Sequence, residues 1–245
     1  MLDLSPELLQ KALKGLGYAW SDDRPNLIGI RRTELVPDKF NDVFVAVWKQ
    51  PVLFKPDAPT LEKQKVLNAW LYKGEDGKPL VTDGKKGKNT TYAEDDYNRT
   101  VGQYRLRQWT ITTVPGVYYL QNPSNSKGTA VFKPGQYIDA YSFGYHKQKT
   151  DHPALLQTKN VTVYRDIDKD KYAEETTTLD TGLFGCNIHR SNSSGVTSSI
   201  GQWSAGCQVF QVKTDLEVLL TLVNAYIAKG VKNFTYTLLR EKELG

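Results

Sequence analysis

FGCNIHRSNSSGVTSSIGQWSAGCQVF, residues Phe184 to Phe210, holds both cysteines of the chain and one of its three histidines. Leu183 and Phe184 lead into Ile188-His189, which reads as the end of a buried strand. Ser191 to Ser199 is almost entirely Ser, Asn, Thr and Gly, the chemistry of a loop. Trp203 then introduces a turn of small residues, Ser204-Ala205-Gly206-Cys207, and Gln208-Val209-Phe210 resumes an apolar run. Strand, loop and turn together can bring His189 and Cys207 face to face. A thiol becomes a useful nucleophile where an imidazole takes its proton. The competing reading makes Cys207 a small buried hydrophobe and His189 a satisfied core histidine. Ser-Ala-Gly fills a core poorly, and its small residues allow the close backbone approach that an oxyanion hole requires.

The order IHR followed by SAGC resembles the active-site motif of the L,D-transpeptidase (YkuD-type) catalytic domain, where a His after a strand precedes a [Ser/Thr]-His-Gly-Cys turn at similar spacing. The resemblance runs from about Trp109 to Leu239. It takes in ITTVPGVYYL (Ile111 to Leu120), which is similar to the family's Thr-Pro-x-Gly-x-Tyr strand pair. It implies that Cys207 is the acylated nucleophile and His189 its base, with backbone N–H groups around Ala205, Gly206 and Cys207 forming the oxyanion hole. Ser204 and Gly206 match their motif positions. Two positions depart: Ala205 stands where the family has a second His, and Arg190 where a small residue follows the first.

On this resemblance the fold is mainly β, a mixed sheet or sandwich with a C-terminal helix and an N-terminal helical element. The implied activity is cysteine-dependent acyl transfer on peptidoglycan stem peptides, without a cofactor or metal. Cys207 attacks a carbonyl next to a D-centre and a thioester forms; an amine acceptor then gives a cross-link, and water gives hydrolysis. Arg190, His146 and Trp203 are the candidates for substrate binding. The alternative is a catalytically inactive structural or wall-binding module on the same fold, with Ala205 reporting a lost activity.

Length and composition are those of a globular protein: 245 residues, 39% hydrophobic and 24% charged, enough to bury a full-sized core. The formal charge of +5 comes from scattered lysines, with one local run at Lys85-Lys86-Gly87-Lys88, so no nucleic-acid groove is indicated. No stretch approaches the roughly 20 apolar residues of a membrane span. MLDLSPELLQKALKGLGYAW lacks the basic and apolar regions of a secretory signal, so the expectation is synthesis in the cytoplasm. A wall target then points to an enzyme carried by a virion or other assembly, or released at lysis. Two cysteines make no disulfide framework, and a Cys186–Cys207 bridge is the lesser alternative to a free thiol.

Along the chain, residues 1–50 read as a helix and strands packing on the main body. Ser5-Pro6 opens the helix, whose apolar face is Leu8, Leu9, Ala12, Leu13 and Leu16. Asn26 to Arg32 and Val43 to Trp48 follow as strands. Residues 51–103 read as a charged insertion or surface excursion, with a helix from Leu61 to Tyr72 and then Gly-, Lys- and Asp-rich loops. Residues 104–245 form the transpeptidase-like unit. Its predicted strands are Arg105 to Thr113, Val117 to Leu120, Thr129 to Phe132, Gln136 to Phe143, Val161 to Tyr164 and Phe234 to Leu239. Thr214-Asp215 is expected to cap a helix carrying Leu216, Leu219, Leu220, Val223 and Ile227.

His146 and His152 read either as surface histidines or as part of a loop over the cleft, where His146 supplies what Ala205 lacks. A zinc site of His146, His152, His189 and Cys207 is disfavoured by the long spacings. Asp166, Asp168 and Asp170 begin like a calcium loop, but Lys171 and Thr177 break the pattern and leave a solvated acidic turn. Tyr118, Tyr119, Tyr137, Tyr141 and Tyr145 read as strand packing or, less simply, as a groove lining.

Overall fold

The computed structural model describes residues 2–245. Helix α1 (Pro6–Gly15) begins as its sequence predicts, with Ser5 Oγ accepting the Leu8 N–H at 3.2 Å and Pro6 in the first turn. Strands β1 (Asn26–Arg31) and β2 (Asp42–Lys49) pair antiparallel. Alternation along β2 divides its side chains. Val43, Val45 and Val47 pack with Ile28 and Ile30 under Leu9 and Leu13 of α1, while Phe44, Ala46 and Trp48 join the main core.

Helices α2 (Thr60–Ala69) and α3 (Lys88–Thr100) follow. The second replaces part of the loop expected there. Thr90, Ala93, Glu94 and Tyr97 lie at helical spacing and are buried, a stripe hidden in sequence by the charged residues around it. Leu67, Trp70, Leu80, Ala93 and Tyr97 belong to the main core, so residues 51–103 are packed structure as well as surface. Strand β3 (Tyr104–Thr112) pairs with all of β2.

The predicted strand at Val117 to Leu120 is a short helix, α4 (Val117–Gln121). Its first N–H groups decide this: Val117 N–H is taken by Asp38 Oδ1 at 3.2 Å, and Gly116 N–H by the Ser204 carbonyl at 2.9 Å. Then come β4 (Thr129–Phe132), β5 (Gly135–Tyr145), β6 (Pro153–Gln157), β7 (Val161–Asp166), β8 (Leu179–Gly182), β9 (Ile188–Arg190), β10 (Gln208–Phe210), α5 (Lys213–Ala228) and β11 (Phe234–Arg240). The expected Thr214-Asp215 cap falls inside the first turn of α5. The flanking residue is Val212, held extended by a bridge to Val196, and no side chain caps the helix.

The chain is sheet-rich, as expected, but its principal sheet closes on itself. Eight strands form a barrel in the order β1-β11-β5-β6-β9-β10-β3-β2, and β4-β7-β8 make a separate small sheet. Closure leaves the barrel no free edge. Buried Arg31 ties the two sheets together. Its Nε donates to Thr113 Oγ1 at 2.9 Å, and its Nη2 to the carbonyls of Thr113 and Phe132, both at 2.8 Å.

Aromatic rings fill the barrel. Tyr236 stacks on Phe44 at 5.8 Å between centroids and meets Phe132 and Tyr141 edge-on. Its hydroxyl donates to Gln208 Oε1 at 2.9 Å. Room for that phenol is made by Gly29, where a Cβ would overlap the hydroxyl. Gly29→Ala should therefore cost about 1–3 kcal/mol in urea unfolding, the scale of overpacking a core. Adding Tyr236→Phe should restore part of that loss, because it removes the colliding oxygen; additive losses in the double mutant would refute the assignment.

Candidate active site

The two strands that carry the expected chemistry are parallel neighbours. Gln208 lies opposite Ile188 and Val209 opposite His189, so Cys207 comes level with Asn187, two residues from His189 on the adjoining strand. The turn before it is stapled by Ser204, which is fully buried. Ser204 Oγ donates to the Cys207 carbonyl at 3.0 Å and accepts the Gly206 N–H at 3.2 Å. Gly206 has φ +124°, and a Cβ there would lie 2.5 Å from the Ala130 carbonyl oxygen, so only glycine fits. The expected oxyanion hole is thereby narrowed. Gly206 N–H is engaged by Ser204, whereas among the described residues no protein acceptor takes the N–H of Ala205 or Cys207.

Cys207 is half-buried and free, and its thiol donates to the Gly185 carbonyl at 3.3 Å. No hydrogen bond joins the sulfur to His189. Burial pushes the Cys207 thiol up to about 11, opposed by the Asn187 N–H and the charge of Lys147. Cys186 is buried and its thiol is raised well above the ordinary range by the same cause, so it is the inert cysteine of the two.

His189 is 1% exposed. Its Nδ1 lies 2.7 Å from the Arg190 carbonyl, which can only accept, so Nδ1 carries the hydrogen. That leaves Nε2 as a bare lone pair, enclosed and without a hydrogen-bond partner. Burial, followed by the neighbouring His146, holds this imidazole well below its ordinary range, and it is neutral.

The other two histidines are not surface residues. His146 and His152 face each other across the tip of the β5–β6 hairpin, where His146 N–H donates to the His152 carbonyl at 2.9 Å. Both are buried against His189. The His146 ring stacks on it at 4.1 Å and 17°, and His152 meets it edge-on at 5.4 Å. Asn187 fixes the His146 tautomer. Its Oδ1 accepts the Gln157 N–H at 2.9 Å, so its Nδ2 must donate to His146 Nδ1 at 3.1 Å, and the His146 proton sits on Nε2. Burial lowers His146 to about 4, and His152 is lowered by burial and then by Arg190. With His146 Nδ1 and His189 Nδ1 both spent, no group of three or more His, Cys, Asp or Glu among the described residues can hold a metal ion.

Arg190, a candidate for substrate binding, is buried, and its guanidinium donates to the Asp151 carbonyl at 3.0 Å, tethering the hairpin tip. Trp203 lies exposed in the loop before the turn. Tyr137 joins Phe132 at 4.9 Å and Tyr141 packs on Tyr236 in the barrel, while Tyr118 and Tyr145 are exposed. Asp166, Asp168 and Asp170 accept the N–H groups of Glu174, Asp170 and Tyr172, which makes them turn caps.

Residues not singled out in the sequence complete the site. Gln157 Oε1 accepts the N–H of Phe184 at 3.1 Å and of Cys186 at 3.0 Å, clamping the segment that presents the Gly185 carbonyl. Asn187 stands two residues before His189, the strand spacing that puts both on one side, and this alternation was the available signal. A hollow of about 260 Å³ opens beside the turn, lined by Ala205, Arg165 and Phe184 among others. Two larger hollows, of about 530 and 550 Å³, lie beside Asn41 and Trp109 and beside Pro51 and Tyr226, away from the thiol. No family model, curated protein or solved structure matches the chain, so a functional reading rests on this geometry and on the motif.

Two outcomes follow. With the thiol pushed up to about 11, Cys207 is protonated at pH 7. Iodoacetamide should label Cys207 before Cys186, about tenfold faster per pH unit from 7 to 10; a rate flat across pH 6–8 would indicate a preformed thiolate instead. The buried histidines favour their neutral forms, so the folded state binds fewer protons than the unfolded chain below pH 6.5. Stability is therefore full above that pH and falls towards pH 4, by about 1.4 kcal/mol per pH unit for each histidine involved. Urea unfolding from pH 7 to 4.5 checks this, and His146→Asn should flatten the slope.

Proposed function

We propose that the protein is a cysteine-dependent acyl-transfer enzyme of the L,D-transpeptidase kind, acting on peptidoglycan stem peptides. The observation that carries the reading is the parallel pairing of β9 with β10. It sets a tautomer-locked His189, with Nε2 bare, on the strand beside the Ser204-stapled turn that ends in Cys207.

Because both partners are neutral, His189 acts as a general base and not as half of a standing ion pair. The thiol leaves the Gly185 carbonyl, its proton passes to His189 Nε2, and the sulfur bonds to the scissile carbonyl carbon. The N–H groups of Ala205 and Cys207 receive the oxyanion. Collapse breaks the C–N bond, and the His189 proton goes to the departing amine. An acceptor amine or water then attacks the thioester, giving up its proton to His189 and restoring the thiol.

The second reading, a wall-binding module without turnover, is favoured by one observation: the thiol rests on a carbonyl rather than on the imidazole. Incubating the protein with isolated peptidoglycan and tetrapeptide stems separates the two. Cys207→Ala should abolish thioester formation and turnover. His189→Ala should slow it on the order of a hundred- to ten-thousandfold, the scale of general-base catalysis. Cys186→Ala should change the rate little. The enzyme reading is lost if the folded wild type yields neither cross-links nor released products, and wall binding retained by Cys207→Ala would then support the module.

A further inference from the structure

The hollow of about 550 Å³ beside Pro51 and Tyr226 takes no part in the steps above. It lies where the α1–β1 connection, the end of β2, the α3–β3 turn and the end of α5 meet. Backbone bonds fix its walls: the Gln50 N–H donates to the Gln103 carbonyl and the Gly102 N–H to the Gln50 carbonyl, both at 2.8 Å. Pro51, Val52 and Val101 give it an apolar side, and Val52 is 71% exposed.

Tyr226 lines this hollow and is 2% exposed. Its ring packs on Trp70 at 4.9 Å, and its hydroxyl has no hydrogen-bond partner among the described residues. Buried hydroxyls are ordinarily paired, because an unpaired one loses its hydration without return. Burial, and then the charge of Asp23, hold the phenol above its ordinary range. The oxygen therefore keeps its proton and can both donate and accept.

The charges around the hollow divide into closed and open ones. Lys49 Nζ reaches Asp22 Oδ2 at 3.1 Å, and Asp22 Oδ1 accepts the Tyr104 hydroxyl, so that pair is closed. Asp23 enters no hydrogen bond or ion pair among the described residues. Lys229 has no carboxylate partner among them either; its Nζ lies 3.5 Å from the Val52 carbonyl and 5.5 Å over the Trp70 ring. One open anion and one open cation thus face the same hollow without neutralising each other. A simple ion would meet one of them and be repelled by the other, whereas a ligand bearing both charges meets both.

We propose that this hollow binds a free α-amino acid with an apolar side chain. Its ammonium meets Asp23, its carboxylate meets Lys229, the Tyr226 hydroxyl bonds one end, and its side chain lies on Pro51, Val52 and Val101. The volume suits a large side chain, since each water left behind occupies about 30 Å³. The site is separate from Cys207, and the inference stands independently of the acyl-transfer reading. It also accounts for Tyr226, whose unpaired oxygen serves binding at the expense of the fold.

The test uses the full chain and three probes: L-leucine, L-leucinamide, which keeps the ammonium alone, and N-acetyl-L-leucine, which keeps the carboxylate alone. The backbone amides of Val52, Gly102 and Lys229 are followed by NMR at pH 7. Leucine should give saturable shifts at all three in the millimolar range, and each half-ligand should bind severalfold more weakly. Asp23→Asn should bring leucine down to the level of N-acetyl-L-leucine, and Lys229→Gln to that of L-leucinamide; both side chains are at the surface, so both variants should fold. Tyr226→Phe should weaken leucine binding severalfold while leaving the urea midpoint at or above that of the wild type, because it removes an unpaired buried oxygen. The proposal is overturned if leucine gives no saturable shift, if either half-ligand binds as well as leucine, or if leucine binding survives both charge variants. Tyr226→Phe with a lowered midpoint or unaltered binding also overturns it. Turnover at Cys207, present or absent, leaves each of these readouts unchanged.

Discussion

A single hydrogen bond inside the barrel, from the Tyr236 hydroxyl to Gln208 Oε1, ties the strand that begins beside Cys207 to the aromatic core. Burial holds the Tyr236 phenol well above its ordinary range, so it stays protonated and donates. An unpaired amide oxygen at the barrel centre would lose its hydration without return, on the order of 1–3 kcal/mol. The strand therefore cannot slide without breaking this bond and disturbing the aromatic cluster around Tyr236. Gly29 on one side and Phe44 on the other fix the phenol, so a glycine far from the thiol in sequence helps to place it.

The turn itself is held from three directions. Ser204 closes it from within, the Gly116 N–H grips the Ser204 carbonyl from the β3–α4 connection, and the Ala130 carbonyl presses on Gly206 from the small sheet. Arg31 then fastens that connection and that sheet to each other through the carbonyls of Thr113 and Phe132. Asp38 adds a further tie, accepting both the Val117 and the Gly201 N–H. Rigid support of this kind is what a site needs when its geometry must hold within fractions of an ångström.

Much of this was legible in the sequence, and the failures have physical causes. Runs of β-branched and aromatic residues announced β1 and β2, alternation announced β3 and β11, and Ser5-Pro6 announced α1, because those signals are local. Helix α3 escaped because its buried stripe is carried by Thr90, Glu94 and Tyr97 among charges, which hydropathy alone does not register. Val117 to Leu120 looked like a strand from its aromatic and β-branched residues, yet acceptors on Asp38 and Ser204, distant in sequence, decided for helix. That strand, loop and turn could bring His189 and Cys207 face to face was the expectation; β9 and β10 are parallel neighbours, and the thiol bonds the Gly185 carbonyl. The convergence of His146 and His152 on His189 was not settled, since it depends on β6 lying between β5 and β9.

The two departures from the transpeptidase motif look different once the surroundings of His189 are considered. What locks its tautomer is the carbonyl of residue 190, and a main-chain carbonyl does this whatever side chain follows. Position 190 is thus free to carry an arginine, provided the side chain finds a partner. It does so by reaching the Asp151 carbonyl in the tip that bears His146 and His152. The same residue therefore orients the imidazole through its backbone and anchors the hairpin over it through its guanidinium. The imidazoles packed on His189 come from that anchored tip. Ala205 thus contributes no ring to the surroundings of His189, and Arg190 anchors the hairpin that contributes two.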